Sequence, residues 1–152
     1  MKHEMNQMVG YHINLVSHFM QNQYNRNLSD LGLTMAQAKV LYLLFNDGSQ
    51  SQSELQKRLF IKGSTMNGII ESMQKRELIS KSDSLEDRRT KIIALTEKGR
   101  LLEEKLWHEM SQLDQELVTG FSKEEQEVLI SWLKRMQNNI HVEKENSKGE
   151  GE

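Results

Sequence analysis

A chain of 152 residues with 36% hydrophobic residues, nine Met, no Pro and no Cys, and with 20 Lys and Arg against 22 Asp and Glu, has room for one core and no proline to kink a helix. Without cysteine, disulfides, thiolate metal sites and a thiol redox switch are excluded. The N-terminal MKHEMNQMVGYHINLV lacks the apolar run of a signal peptide, and no stretch approaches the ~20 apolar residues of a membrane span, so a soluble cytoplasmic protein is expected.

Met5, Val9, Ile13, Val16, Met20 and Tyr24 recur every three or four residues, which predicts an amphipathic helix over 5–28. Gly10 inside it costs about 1 kcal/mol relative to alanine, so the helix is expected to depend on packing. Leu31-Gly32-Leu33 breaks the pattern. Thr34 and Gln37 then have the spacing of a capping box, in which hydroxyl and amide satisfy two orphan N–H groups. Ala38, Leu41, Leu44 and Phe45 are predicted to face inward, before a turn at Asn46-Asp47-Gly48. A second box, Ser51 with Glu54, opens a short helix with Leu55 and Leu59 inward. Phe60-Ile61-Lys62-Gly63 forms a tight turn, and Ser64 and Thr65 begin the next helix. There Met66, Ile69, Ile70 and Met73 share one face, while Ser64, Thr65, Asn67, Gly68 and Glu71 lie on or near the other. Two helices joined by a short Gly-containing turn, the second presenting small polar side chains, form a helix-turn-helix pattern.

Leu78–Ser82 and Arg89–Leu95 are predicted strands, joined by the charged loop 83–88 into a β-ribbon. Residues 50–100 hold 11 Lys and Arg against 7 Asp and Glu, whereas the remainder holds 9 against 15. A basic segment in an acidic chain is the footprint of an anionic partner. An arginine at a ribbon tip suits the negative potential of a narrow A·T minor groove. Arg89 is preferred over Arg88, because Asp87 two residues earlier is placed to hold its guanidinium in a fixed direction. Thr96 caps the following section, in which Leu102, Leu106, Met110, Leu113 and Leu117 keep a helical period until Gly120. Ser122 with Glu125 makes a third capping box, followed by Leu129, Leu133, Met136 and Ile140. With Trp107 and Trp132 on their flanks, these two helices resemble half of an interface. Glu103-Glu104 reads as a solvated helix face, and residues 143–152 as a disordered tail. The five histidines (His3, His12, His18, His108 and His141) match no compact ligand spacing, so no metal or cofactor is expected. No phosphate loop and no nucleophile with a placed base occur in the sequence, so no enzyme is expected.

The runs STMNGIIESMQKRELI and EDRRTKIIALTEKG resemble the recognition helix, wing and following helix of the MarR family of bacterial transcription regulators. The resemblance is detailed over residues 51–99 and extends in pattern over the flanking helices. It implies a mainly α fold with a small β-wing: a winged helix-turn-helix over 34–97, with dimerisation helices at 1–33 and 98–142. It further implies a homodimer on a palindromic double-stranded operator, released by a small lipophilic or phenolic effector, as in repressors of multidrug efflux. By position, the resemblance puts Ser51, Lys62, Gly63, Ser64, Thr65, Asn67, Gly68, Asp87, Arg88, Arg89 and Lys91 at the DNA. Ser64, Thr65 and Asn67 would face the major groove, where the Asn67 amide can pair with adenine, and Arg89 would enter the minor groove. Tyr11, Phe19, Tyr42, Phe45 and Trp107 are the aromatic candidates for an effector pocket, weighed against plain core roles. This chain departs from the family pattern in three ways. Gly68 and Ser72 stand where many relatives are basic, Lys62 stands where a Ser, Thr or Asp often caps the recognition helix, and Glu77 replaces a usual glycine. The competing reading is a helical protein-interaction module that never touches DNA, which has no need of an arginine-tipped ribbon.

Overall fold

The structure, a computed structural model, describes the backbone of residues 1–149 and the side chains of residues 1–141. The chain forms two compact units, one of Met1–Leu113 and one from Asp114 onward. A 3-10 turn at Met5–Gln7 precedes helix α1 (Val9–Asp30). Helix α2 (Met35–Asp47) opens on the full capping box: the Gln37 N–H donates to Thr34 Oγ1 at 3.2 Å, and the Thr34 N–H donates to Gln37 Oε1 at 3.1 Å. Strand β1 (Gln50–Ser51) leads into α3 (Gln52–Leu59), where Ser51 Oγ accepts the Glu54 N–H at 3.1 Å. Helix α4 (Gly63–Lys75), strands β2 (Ile79–Asp83) and β3 (Lys91–Leu95), and helix α5 (Glu97–Leu117) follow.

The three strands form an antiparallel sheet in the order β1-β3-β2. The sequence pattern predicts only the two ribbon strands. The third, two polar residues long, carries no alternation to announce it. Leu41, Leu55, Met66, Ile70, Met73, Leu78 and Ile93 are fully buried and draw α2, α3, α4 and the sheet onto one core, each contributing about 1.5–3 kcal/mol of burial. The recognition-helix pattern is reproduced: Met66, Ile70 and Met73 are buried, Ile69 is half-buried, and Ser64, Thr65, Asn67, Gly68 and Glu71 are exposed. Phe45 departs from expectation. It is 42% exposed, because it lies one residue round the helix from buried Leu44 and faces a surface cavity.

Two backbone positions hold the ribbon against α4 and α5. The α4 helix ends in a Schellman arrangement: the Glu77 N–H donates to Gln74 O and the Leu78 N–H to Met73 O, with Glu77 left-handed at φ 59°. This is the position where the family pattern has glycine, and a side chain there carries strain. Glu77→Gly is therefore expected to raise stability by about 1 kcal/mol in urea unfolding; a loss of stability would contradict the strain argument. Downstream, Thr96 Oγ1 donates to Glu77 O at 2.6 Å and accepts the Gly99 N–H at 3.0 Å, while the Thr96 N–H donates to Leu78 O. A β-carbon on Gly99 would lie 2.1 Å from Leu78 O. Gly99→Ala must push α5 off the ribbon's base, and is expected to cost about 3 kcal/mol, the upper end for overpacking; an unchanged urea midpoint would show that the contact is soft.

Helix α1 leaves Val9, Ile13, Val16 and Phe19 exposed, so the predicted stripe is covered by its own chain only toward its C-terminal end, at half-buried Met20 and Tyr24 and buried Leu28. In the second unit, α6 (Lys123–Gly149) starts at a complete Ser122–Glu125 box, with bonds of 3.1 and 3.0 Å. Val128, Ile130, Trp132 and Ile140 of α6 are exposed. Its backbone is helical through residues 143–149, where a disordered tail was expected; Lys and Glu in that stretch are good helix formers. The last three residues of that expected tail, 150–152, lie outside the described residues. Among the described residues, no helix is long and apolar enough to cross a membrane.

Candidate nucleic-acid interface

The outward face of α4 is held by polar ties at its inner side and its end. Arg76 donates to Leu31 O at 3.0 Å and also to Gly32 O, fastening the end of α4 to the chain leaving α1. Gln37 Nε2 donates to Ser72 Oγ at 3.2 Å from α2. Arg58 fixes α3 through an ion pair with Asp47 at 2.7 Å and a hydrogen bond to Gln50 Oε1 at 2.8 Å. These arginines serve the scaffold, and nothing in their local sequence separates them from a DNA-facing cation. Lys62 is exposed at the N-cap of α4 and provides no side-chain cap. The first N–H groups of α4 and the Lys62 ammonium thus share one end of the helix, an arrangement that favours a phosphate.

The ribbon meets α4 along an open polar cleft of about 320 Å³, lined by Gln52, Ser53, Gln56, Asn67, Lys81, Arg89, Thr90 and Lys91. Asn67, Arg89 and Lys91 are thereby brought together, as the sequence reading expects. Gln52, Gln56 and Thr90 join them without having been singled out, and Lys81 also lines the cleft. Ser64, Thr65 and Gly68 lie exposed on the same helix, with open space above the Gly68 α-carbon. Gly63 starts α4, and Ser51 is occupied as the cap of α3. Arg88 is exposed at the tip and does not line the cleft.

Two of these residues have partners within the chain. Asp87 Oδ1 accepts the backbone N–H of Arg89 at 3.0 Å, so it shapes the turn and leaves the Arg89 guanidinium unclamped; a two-residue separation suits an Asx-type turn. Lys91 forms an ion pair with its cross-strand neighbour Asp83, so its charge is partly spoken for before any phosphate arrives. Gln52 Nε2 donates to Asn67 Oδ1 at 2.6 Å. That bond orients the Asn67 amide and leaves its NH2 free to donate. Asn67→Ala is expected to flatten preference at one operator position by about 1–3 kcal/mol, and Gln52→Ala to perturb the same position. Selection from randomised duplexes checks both; changes at two unrelated positions would separate the residues.

The aromatic candidates divide. Tyr42, Phe45 and Trp107 line one cavity of about 320 Å³ between α2 and α5, with Asn46, Glu103 and Glu104. The Tyr42 and Trp107 rings stack with centroids 6.2 Å apart at 26°. An adjoining hollow adds Tyr24 and Lys39 to the same wall. Tyr11 lies elsewhere, in a shallow groove with Met5, Met8 and Ile13, and Phe19 is an exposed position on α1 that lines neither cavity.

Glu103 is the residue that sequence reasoning missed. Expected as solvated, it is 4% exposed. Burial pushes its carboxyl up to about 7, and Oε2 has no hydrogen-bond partner. Its neighbour Glu104 takes the surface role, paired with Arg100, which also binds Glu97. The Tyr24 hydroxyl is raised by burial and by the nearby Glu103.

A MarR family model matches residues 33–91. YdgJ, an uncharacterized HTH-type transcriptional regulator of Bacillus subtilis, is 30% identical over 110 residues, covering 72% of this chain and 67% of its own length. Among solved structures, a Staphylococcus aureus MepR variant bound to an oligodeoxyribonucleotide is 27% identical with a TM-score of 0.65, covering 88% of this chain and 98% of that one. Bordetella bronchiseptica BpsR, whose DNA binding is regulated by 6-hydroxynicotinic acid, is 26% identical with a TM-score of 0.67, covering 90% and 98%.

Proposed function

The chain belongs to the MarR family of transcriptional regulators, and from that footing we propose that it is a cytoplasmic repressor that grips a palindromic operator as a homodimer and releases it when a small lipophilic or phenolic effector fills the cavity between α2 and α5. The observation that carries the reading is the cleft joining the exposed face of α4 to Arg89 of the ribbon. One element there is sized for a major groove and the other for the adjacent minor groove. Ser64, Thr65, Asn67 and Gly68 face bases, Lys62 and the start of α4 hold phosphate, Arg89 enters the minor groove, and Arg88 and Lys91 add charge.

Dimerisation follows from what a single chain leaves uncovered. Val9, Ile13, Val16 and Phe19 on α1, and Val128, Ile130 and Trp132 on α6, are apolar and exposed, and a second copy covers them. Residues 1–33 and 98–142 are thus the dimerisation segments and 34–97 the reading head. Two reading heads must stand one duplex turn apart, about 34 Å, to enter successive major grooves. The Arg76 tie passes any shift of the α1 end to α4. An effector that prefers a different spacing weakens DNA binding by its differential affinity for the two states. DNA-bound MepR and ligand-regulated BpsR support both halves of this reading. Gel shifts with duplexes flanking the chain's own gene are expected to show one discrete complex at low salt. A protein that shifts none of them, yet captures another regulator, fits the interaction-module reading instead.

A further inference from the structure

We propose that the cavity between α2 and α5 selects an organic cation, its charge set against the Glu103 carboxylate and its apolar body against Tyr42, Phe45 and Trp107. The inference rests on the reading of this cavity as the effector site and gives that effector a charge. Glu103 is 4% exposed, lines both hollows, and has an oxygen with no partner. An orphaned buried acceptor is costly, so the site gains most from a ligand that supplies a donor or a positive charge. Stacked Tyr42 and Trp107 present π-faces beside it, and a cation within about 6 Å of such a face is attracted by the ring quadrupole.

The other charged and titratable groups around Glu103 do not supply the missing partner. Tyr24 from α1 and Lys39 and Tyr42 from α2 share its walls, and no ion pair among the described residues includes Glu103. Glu104, on the same helix, is held by Arg100. A carboxylate ligand would meet a second carboxyl in a confined space and be repelled whenever Glu103 is ionised. Burial holds the Glu103 carboxyl at about 7 in the empty site. A bound cation favours the ionised form and expels the proton, so cation binding releases protons near neutrality and strengthens as pH rises.

Calorimetric titration of the full-length protein, without DNA, distinguishes the ligand classes with three probes that share a phenyl ring: benzyltrimethylammonium, benzyl alcohol and benzoate. The quaternary ion has no proton of its own to titrate. At pH 8 it is expected to bind at least about tenfold tighter than the other two, and its affinity to fall about tenfold between pH 8 and pH 6 as Glu103 protonates. Glu103→Gln is expected to abolish that pH dependence and the cation's advantage over benzyl alcohol. If the variant does not fold, the pH dependence of the unaltered protein decides. Benzoate or benzyl alcohol binding as tightly as the cation, a flat pH response, or no binding of any probe overturns the proposal. DNA release is scored separately: a cation that binds but leaves the operator complex intact refutes effector-driven release and keeps the ligand class. Release by neutral or anionic probes alone does the reverse.

Discussion

Arg89→Ala is expected to lower affinity for duplex DNA about 10- to 100-fold, and to reduce the slope of log affinity against log salt by about one. The size follows from position. Arg89 lines the cleft beside Asn67, and its backbone is set by Asp87. A guanidinium entering a narrow minor groove gains both counterion release and the focused negative potential there. Arg88, exposed at the tip and outside the cleft, is expected to change affinity severalfold less when replaced. Gel shifts or fluorescence anisotropy across a salt series check both substitutions. Equal losses at Arg88 and Arg89 would mean that the tip acts only as diffuse charge, and an unchanged slope at Arg89 would remove it from the interface.

Glu103→Gln is expected to change how stability depends on pH. In the unfolded chain this carboxyl ionises near its ordinary 4.5, whereas burial holds it at about 7 in the folded state. Below about pH 4.5 both states are protonated and the group contributes nothing to the difference. Between about 4.5 and 7 the unfolded state ionises while the folded state keeps its proton, so stability falls as pH rises; above 7 the loss is complete. The gap amounts to about 3 kcal/mol at most. The Gln variant keeps the shape without the ionisation, and is expected to be more stable than the unaltered protein at pH 8 by up to that amount and nearly level with it at pH 4. Urea midpoints at the two pH values provide the comparison; parallel curves would place Glu103 in water.

Helical period exposed the buried face of α4 and the stripes of α1 and α5, because an amphipathic helix writes its burial into its spacing. The capping boxes at Thr34 and Ser122 were legible for the same reason: two residue types at a fixed offset. What was not legible depends on partners distant in sequence. Gln52 meets Asn67 across 15 residues, and Arg76 meets Leu31 across 45; both looked like surface polar side chains. Glu103 was hidden by its neighbours, since an Arg100–Glu104 pair makes a convincing solvated face while the next residue round the helix turns inward. Phe45 and Tyr42 were recognisable as aromatic, and only the placement of α5 opposite α2 could reveal that they border a cavity instead of filling the core.

The central claim is that two copies of this chain, joined through apolar helices, hold one duplex with two winged reading heads. Sedimentation of the protein alone, and then mixed with an operator duplex selected by its own binding at low ionic strength, tests it most directly. The account predicts a dimer in the free protein, two chains per duplex in the complex, and dissociation of that complex as salt rises. A free monomer, one chain per duplex, or no retention of any duplex at low salt would contradict it.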